Sequence, residues 1–363
     1  EFELEGTNSN GEKVKVTPDL DYPAKLVDPA TGQVTDEATV TVAGEGTYTI
    51  DQATGKVTFK PEPGFTGTAN GVTVSVTAPV GRDKDGNVPA DALKTATAKY
   101  TPTVTPITLT PTNKVSEDVQ NVPQTQTPTF ELSNDKTAEI TSKKLVDPAT
   151  GQPTDATTVT VAGEGSYTID PTTGAVTFVP EKDFVGTAKG VTVQATATIK
   201  NEDGKTTTIT ADATYTPTVV PAVPTAQPAK SIDVQGATQK GKPTFEGTTV
   251  TVNGEQKPVT IKENSYTLVD KDGNEVTSTP AYAEDGTTVI GTHTIDPTTG
   301  EVTFTPTDKS YSGKVTPVSV QAESSNGIKV STTYTPEIVP VTPTAENAAT
   351  KDIQGKTQKG KPT

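Results

Sequence analysis

One motif, present three times, limits what this chain can fold into more than any other feature. The motif reads TYTIDQATGKVTFKP at 47–61, SYTIDPTTGAVTFVP at 166–180 and THTIDPTTGEVTFTP at 292–306. Self-similarity at a period of about 120 residues predicts tandem copies of one structural unit. A chain of 363 residues then holds three domains.

The motif itself predicts a β-hairpin, because two short strands flank the turn sequence Asp-x-x-Thr-Gly. The aspartate side chain can accept backbone N–H bonds across the turn. The glycine can take the positive φ that lets the second strand re-enter the sheet. In the first copy we expect Ile50, Val57 and Phe59 to point into the core. The turn residues are Asp51, Asp170 and Asp296 with Gly55, Gly174 and Gly300.

Alternation of apolar and polar residues continues outside the motif and predicts half-buried strands. Examples are GVTVSV at 71–76, GVTVQA at 190–195 and ITADATY at 209–215. Only 30% of the residues are hydrophobic, and Gly and Pro number 30 each, which breaks up long helices. The predicted fold class is all-β, with three tandem β-sandwich-like repeat domains joined by Pro/Thr-rich extended linkers.

Two recurring anchors set the domain boundaries. Phe2, Phe130 and Phe245 open the copies, and Tyr100, Tyr215 and Tyr334, each in the sequence YTP, close them. The predicted repeat domains are 1–102, 129–217 and 244–336, and the predicted linkers are 103–128, 218–243 and 337–363, the last leading to a further repeat.

The connectors keep a constant length, 30 positions from Tyr100 to Phe130 and 30 from Tyr215 to Phe245, whereas the domains differ in length. A passive spacer has no reason to keep its length, so this constancy suggests that the connector has structure. Its first half, TPTVVPAVPTAQP at 216–228, is punctuated by proline and should be extended. A connector of this kind is expected to separate neighbouring domains.

His293 is the single histidine of the chain, and it is the first candidate for a catalytic or metal-binding group. The equivalent positions of the other copies hold Tyr48 and Tyr167, which lack the imidazole nitrogen that both roles need. We therefore expect His293 to be a half-buried ring on a strand.

The sequence also contains partial signals for a calcium loop and for an isopeptide bond. DKDGN at 83–87 and 270–274 and NEDGK at 201–205 resemble half of a calcium loop but lack the distal carboxylate, and hairpin turns use the same residues. A Lys to Asn or Asp isopeptide bond needs a lysine at one aligned place, yet Lys25 and Lys144 are matched by Thr267. One copy could still have one. We expect no catalytic, cofactor-binding or metal site, no cofactor and no enzymatic activity.

The net charge of −15 argues against nucleic acid and anionic membranes as partners. The chain has no Cys, so it depends on packing and hydrogen bonds rather than disulfides, and lack of sulfur suits an extracellular location. It shows no signal peptide, no membrane-spanning apolar run and no initiator methionine, so we expect a piece of a longer protein.

The segments GKPTFE, TIDPTTGEVTFTP, YTPTVVPAVPTAQP and IQGKTQKGKPT resemble the repeat units of the CshA-type fibrillar adhesins of oral streptococci. The resemblance extends over the whole chain. It implies a wall-anchored surface protein with a target-binding N-terminal region on a long stalk of all-β repeats, so that the location would be the bacterial cell surface.

The resulting functional hypothesis is a structural stalk that projects a separate adhesive tip from the cell wall and tolerates shear. The alternative is that the repeats act as weak multivalent binding modules for host protein or for like fibrils. The expected partners are neighbouring repeats of the same chain and, through the parent protein, host surface proteins, with no nucleic acid and no membrane. The chain itself is expected to be a monomer.

Overall fold

Strands form almost all of the regular structure, which is given by a computed structural model describing residues 4–16, 22–79, 82–201 and 204–363. The predicted anchor Phe2 lies outside these residues. The chain divides into two compact units. Unit 1 comprises Glu1–Pro111, Phe130–Lys143 and Gln194–Asp212, and unit 2 comprises Thr112–Thr129, Lys144–Val193 and Ala213–Thr363.

Repeat 1 lies in unit 1 and is the set of strands β1 to β10, with one short 3-10 helix at Ala90–Ala92. Two of its sheets have the strand orders β3-β8-β9 and β4-β5-β6. The strands are β1 Leu4–Thr7, β2 Lys13–Val16, β3 Lys25–Val27, β4 Thr39–Val42, β5 Gly46–Asp51, β6 Lys56–Pro61, β7 Gly67–Thr68, β8 Val72–Pro79, β9 Leu93–Tyr100 and β10 Thr103–Val104.

Repeat 2 is the set of strands β11 to β21, and its main sheets have the orders β12-β21-β20-β15 and β13-β18-β17-β16. The strands are β11 Leu109–Thr112, β12 Lys114–Val119, β13 Gln124–Gln126, β14 Thr129–Leu132, β15 Ala138–Leu145, β16 Thr158–Val161, β17 Gly165–Ile169, β18 Val176–Pro180, β19 Gly186–Thr187, β20 Val191–Lys200 and β21 Thr206–Val220.

Repeat 3 lies in unit 2 and is the set of strands β22 to β35, with the orders β23-β35-β34-β28-β29 and β24-β32-β31-β30 in its main sheets. The strands are β22 Thr225–Gln227, β23 Ala229–Val234, β24 Gln239–Gly241, β25 Thr244–Glu246, β26 Thr248–Val252, β27 Glu255–Val259, β28 Thr267–Val269, β29 Glu275–Val276, β30 Ser278–Tyr282, β31 Val289–Ile295, β32 Val302–Pro306, β33 Gly313–Lys314, β34 Val318–Glu323 and β35 Lys329–Val339.

The cores form between the two main sheets of a repeat, because alternate residues of each strand face inward. In repeat 1, Leu26 of β3 and Val74 of β8 pack against Tyr48 and Ile50 of β5. Threonines on the outward faces pair across strands, as Thr39 and Thr49 do at 3.3 Å between hydroxyl oxygens. The predicted all-β class with three tandem sandwich-like repeats is confirmed.

The connectors contribute strands to the repeat that follows them. β12 pairs with β21 in parallel, from Lys114↔Tyr215 to Val119↔Val220, and β23 pairs with β35 in the same way, from Ala229↔Tyr334 to Val234↔Val339. The second strand of repeat 2, β12, is therefore a neighbour of its last strand, β21, and the second strand of repeat 3, β23, is a neighbour of its last strand, β35. The domain limits given above stay a prediction, but much of 103–128 and 218–243 lies in paired strands.

Candidate functional site

The recurring hairpin has the turn that its sequence predicts. The carboxylate of Asp170 accepts hydrogen bonds from the backbone N–H groups of Thr172 and Thr173, at 2.8 and 3.3 Å. Asp51 and Asp296 cap their turns in the same way. The glycines take positive φ, 72° at Gly55, 79° at Gly174 and 74° at Gly300. The prediction of a structural turn is confirmed.

His293 occupies the same place as Tyr48 and Tyr167, at the centre of an aromatic cluster. Its ring lies 5.4 Å from the ring of Phe304 and 6.0 Å, edge-on, from that of Tyr334. Tyr48 and Tyr167 make the equivalent pairs in their repeats. The expectation of a half-buried ring is wrong in degree, because His293 is only 1% exposed.

Burial determines the chemistry of His293. It lowers the pKa of the imidazole to about 4. Neither ring nitrogen has a hydrogen-bond partner among the described residues. A neutral, enclosed ring of this kind is a packing residue, and it lacks the solvent access that a general base or a metal ligand needs.

A buried carboxylate accompanies the tyrosine in repeats 1 and 2 but not the histidine in repeat 3. Glu45 accepts a hydrogen bond from Asn70 N at 2.8 Å and one from Tyr48 Oη at 3.2 Å. The bond from Asn70 lowers the pKa of Glu45, and burial raises that of Tyr48 to about 12. The equivalent of Glu45 in repeat 3 is Ile290, which is fully buried. Repeat 3 therefore has neither member of the Glu45–Tyr48 pair, because Ile290 and His293 occupy the two equivalent positions.

The Asp-x-Asp-Gly-Asn segments are turns whose first carboxylate is already engaged. Asp83 accepts hydrogen bonds from Asp85 N and Asn87 N, and Asp270 accepts them from Asp272 N and Asn274 N. Within the described ranges, no group of three or more acidic or histidine side chains is arranged to hold a metal ion. Part of the third segment, at 201–205, lies outside the described residues. The absence of a metal site stays a prediction.

The two aligned lysines form ion pairs at the surface. Lys25 Nζ lies 2.5 Å from Asp36 Oδ1, and Lys144 Nζ lies 2.7 Å from Asp155 Oδ1. Each lysine lowers the pKa of its aspartate, and both aspartate side chains are about nine-tenths exposed. Water and the neighbouring lysine both favour the charged form of each aspartate, whereas amide formation needs a protonated carboxyl.

A hydrogen-bonded set of three side chains links β23 and β24 of repeat 3 to its last strand, β35. Ser231 Oγ lies 2.6 Å from Tyr334 Oη and 2.6 Å from Gln239 Oε1, and Gln239 Nε2 donates to the carbonyl of Glu337 at 3.0 Å. Repeat 2 has the same set in Ser116, Gln124 and Tyr215, with Gln124 donating to the carbonyl of Thr218. We call this set the Ser-Gln-Tyr clamp.

Repeats 2 and 3 contact each other directly within unit 2. The hairpin of β26 and β27 packs Val252 and Val259 against Val119 and Ala222 of repeat 2 and its connector. Connectors were expected to separate neighbouring domains, and for this pair the expectation is wrong. Only Pro221–Pro224 lie between the last strand of repeat 2 and the first strand of repeat 3.

Polar contacts surround this apolar joint. Asn253 N donates to Glu117 Oε2 at 2.5 Å, and Lys257 forms an ion pair with Asp118. Asn326, which is 6% exposed, donates from Nδ2 to the carbonyls of Gln120 and Ala222, both at 3.1 Å. We call these residues, together with the four apolar ones, the repeat 2–3 joint.

The repeat 2–3 joint is not predicted by the sequence, although the sequence does contain a signal for its hairpin. Val-Asn-Gly-Glu at 252–255 lies between two alternating segments, and Asn-Gly is the preferred two-residue hairpin turn. Both turn residues have positive φ, 50° for Asn253 and 81° for Gly254. Nothing in the sequence indicates that the hairpin packs on the preceding repeat.

Comparison with known proteins gives one family and several distant structures. The family model described as "Surface adhesin CshA repetitive domain" matches three times, at residues 3–104, 106–219 and 221–338. No curated protein matches the chain.

Solved structures that match this chain include mouse cadherin-23 EC22-24 (11% identity, TM-score 0.27, 91% of this chain and 90% of that chain). Another is Drosophila N-cadherin EC1-4 (13% identity, TM-score 0.24, 89% of this chain and 68% of that chain). A third is the titin segment I67–I69 (9% identity, TM-score 0.26, 91% of this chain and 90% of that chain). At these values the similarity carries no functional argument.

No helix in the described part of the chain has the length and apolar content needed to span a membrane. A family of surface adhesin repeats implies a location outside the cell. The three consecutive matches together extend over most of the sequence. The chain therefore belongs to the family of CshA surface adhesin repetitive domains.

Proposed function

We propose that these repeats are load-bearing stalk modules of a cell-surface fibrillar adhesin, which project a separate adhesive tip from the cell wall and tolerate shear. Host surface proteins would then be contacted by the tip of the parent protein. The observation that carries the proposal is the parallel pairing of β12 with the last strand, β21, in repeat 2 and of β23 with the last strand, β35, in repeat 3.

Tension loads the parallel pair of β23 and β35 in shear. Tension on a tandem chain pulls the start of β23 and the end of β35 in opposite directions along the strands. The six residue pairs between them are then loaded together, lengthwise, rather than opened one after another. The Ser-Gln-Tyr clamp crosses the same pairing, so it adds hydrogen bonds that must break in the same event.

Repeat 1 supplies an internal comparison. Among the described residues, β9 is the edge strand of its sheet and has no parallel partner comparable to β12 or β23. Single-molecule stretching of residues 1–363 from both ends should therefore give one unfolding event at low force and two at higher force. Each event should lengthen the chain by about 350 to 400 Å for a repeat of about 110 residues.

Matched variants test the role of the clamp in that experiment. Gln239→Ala should lower the force of one of the two strong events, whereas Lys240→Ala, a change at an exposed neighbouring position on the same strand, should leave all three forces unchanged. Three events of equal force, or no event of the expected length before detachment, would contradict the proposal.

A further inference from the structure

Four Asn-Gly pairs occur in the chain, and their surroundings differ. The pairs are Asn10–Gly11, Asn70–Gly71, Asn253–Gly254 and Asn326–Gly327. An asparagine that precedes glycine can lose its side-chain amide, because the glycine backbone nitrogen reaches the side-chain carbonyl carbon without hindrance from a Cβ. The reaction needs a glycine N–H that is not bound elsewhere and an asparagine side chain that water can reach.

The two pairs of repeat 1 have a reacting group that is held. Gly11 N donates a hydrogen bond to the carbonyl of Asn8 at 3.0 Å. Gly71 is buried, and the carboxamide of Asn70 donates from Nδ2 to Glu45 Oε1 at 2.5 Å. These hydrogen bonds must break before the nitrogen can meet the carbonyl carbon, and each one broken costs free energy.

Asn326 is held at both polar atoms of its side chain. Oδ1 accepts a hydrogen bond from Ser324 Oγ at 2.6 Å, and Nδ2 donates to the carbonyls of Gln120 and Ala222. Gly327 N donates to the carbonyl of Ser324 at 2.8 Å. Loss of this amide therefore requires the repeat 2–3 joint to open first.

The remaining pair lies at the tip of the β26–β27 hairpin, beside the repeat 2–3 joint. Asn253 is exposed, and among the described contacts Gly254 N has no hydrogen-bond partner. The space beside Gly254 is open, since a Cβ placed there would meet no atom within 4 Å. The carboxamide of Asn253 makes one described hydrogen bond, from Nδ2 to the carbonyl of Glu117 at 3.2 Å. Both requirements of the reaction are met here.

We propose that Asn253 is a site of spontaneous deamidation and that its conversion loosens the repeat 2–3 joint. Gly254 N attacks Cγ of Asn253 and gives its proton to water. The bond from Cγ to Nδ2 breaks, and the nitrogen takes the electron pair and a proton from water to leave as ammonia. A water molecule then opens the succinimide ring at either carbonyl, which gives aspartate or isoaspartate. The reaction proceeds whether or not the repeats carry load.

Either product disrupts the contacts that Asn253 makes. A carboxylate oxygen cannot donate to the carbonyl of Glu117, as Nδ2 does now. The new negative charge also lies beside the carboxylate of Glu117, which accepts a hydrogen bond from Asn253 N at 2.5 Å. Isoaspartate adds one atom to the backbone, so a two-residue turn no longer fits the pairing of Val252 with Glu255.

The hairpin carries apolar residues of the joint, so a change in its turn affects their packing. Val252 is 7% exposed and Val259 is 2% exposed, and both pack against Val119 and Ala222. Val252 directly precedes Asn253, so a shift in the turn withdraws this side chain first. The apolar surface that then meets water no longer stabilises the contact between the two repeats.

Mass spectrometry of proteolytic peptides measures the conversion. Residues 1–363 are incubated at mildly alkaline pH, at which the attacking nitrogen loses its proton more readily, in the folded state and in denaturant. The ratio of the folded rate to the denatured rate should be highest at Asn253, because denaturant removes the contacts that hold the other three pairs. An equal or higher ratio at Asn10, Asn70 or Asn326, or no conversion of Asn253, would overturn the proposal.

Hydrogen exchange measures the effect on the joint. β26 and β27 should exchange faster after incubation, whereas β30 and β31, which belong to another sheet of the repeat, should not change. Asn253→Asp should reproduce the faster exchange without incubation, and added salt should reduce it, because salt screens repulsion between exposed charges. Unchanged exchange of β26 and β27 in both samples would contradict the loosening of the joint.

Asn253→Gly is the matched control. Gly-Gly suits the same two-residue turn, and the variant has no side-chain amide to lose and adds no charge. Exchange of β26 and β27 in this variant should be the same before and after incubation. Faster exchange after incubation in Asn253→Gly, as large as in the unchanged chain, would assign the effect to another residue and contradict the proposal.

Discussion

At the scale of single residues, one core position holds a phenol in repeats 1 and 2 and an imidazole in repeat 3, and its buried neighbour is a glutamate in the first two and Ile290 in the third. Tyr48 has the carboxylate of Glu45 as partner, whereas His293 has Ile290 at the equivalent place. A histidine enclosed without a partner disfavours protonation. This gives repeat 3 a dependence on pH that the other two repeats do not share.

The first prediction concerns that dependence. The unfolded state takes up a proton near pH 6.5, whereas folded repeat 3 does so only near pH 4. The contribution of neutral His293 to the free energy of unfolding is therefore fully present above pH 6.5. It is lost as the pH falls towards 4, by at most about 3 kcal/mol. His293→Phe keeps an aromatic ring and removes the titration. It should abolish this loss and stabilise repeat 3 at pH 7 by about 1 kcal/mol, because no buried polar atom is left unpaired.

The measurement is chemical denaturation of the full chain at several pH values, with and without His293→Phe. The difference between the two chains isolates repeat 3, because carboxylates such as Glu45 titrate alike in both. A destabilised variant at pH 7, or an unchanged loss between pH 6.5 and 4, would show that the ring has a polar partner in solution.

Comparison of the repeats predicted the character of position 293 but not its exposure. That His293 is structural follows from Tyr48 and Tyr167 at the same place in the motif. Its burial depends on Phe304 and on Tyr334, which lies on a strand of the other sheet. The sequence shows that Glu45 and Tyr48 of repeat 1 correspond to Ile290 and His293 of repeat 3. Only the structure shows that the side chains of Glu45 and Tyr48 are in contact.

At the scale of elements, the connectors are the informative part of the chain. Their constant length suggests that they have structure, and the strand pairing explains why the length is kept. The spacing must allow β22 to pair with β25, β23 with β35 and β24 with β32. Inserting or deleting one residue in such a segment would turn its side chains to the opposite face of the sheet. Sequence alone could not show this, because the partner strand of β23 lies at the far end of the same repeat.

The second prediction concerns the Ser-Gln-Tyr clamp of repeat 3. Gln239→Ala removes the only side chain that bonds both Ser231 and the carbonyl of Glu337 among the described contacts, and the site is 3% exposed. The expected loss of stability is about 1–3 kcal/mol, since buried polar groups are left without partners. Thermal unfolding followed by calorimetry measures it.

Lys240→Ala is the matched control for that experiment. Lys240 is exposed and pairs with Glu301 at the surface, so its loss should cost at most about 1 kcal/mol. Equal effects of the two substitutions would mean that the clamp contributes no more than a surface ion pair.

At the scale of the whole molecule, the repeat 2–3 joint makes two repeats dependent on each other. Asn326 bonds two carbonyls of the preceding repeat and its connector, and Val252 and Val259 bury apolar surface against it. Repeats coupled through such an interface unfold together when the interface free energy is large. The Asn-Gly sequence predicts the hairpin of β26 and β27, whereas nothing in the sequence predicts the surface against which this hairpin packs.

The third prediction tests that coupling. Asn326→Ala should separate the unfolding of repeats 2 and 3 into two calorimetric transitions, with a loss of about 1–3 kcal/mol for the two unpaired carbonyls. Lys314→Ala, which removes a surface ion pair with Glu284 away from the joint, should keep them together. A single unchanged transition in the Asn326 variant would show that the joint is energetically negligible.

The pairing of β12 with β21 and of β23 with β35 also sets the time at which repeats 2 and 3 can be completed. Ser231 and Tyr334, which touch in repeat 3, are 103 positions apart in the chain. At a synthesis rate of about 5–20 residues per second, β23 is made roughly 5–20 s before its partner strand exists. During this interval the strand has no place in its own repeat, while the completed repeats before it present similar YTP segments. Because β12 already pairs with the strand that contains Tyr215, the synthesis order leaves that YTP segment unavailable to β23 while β35 is still being made.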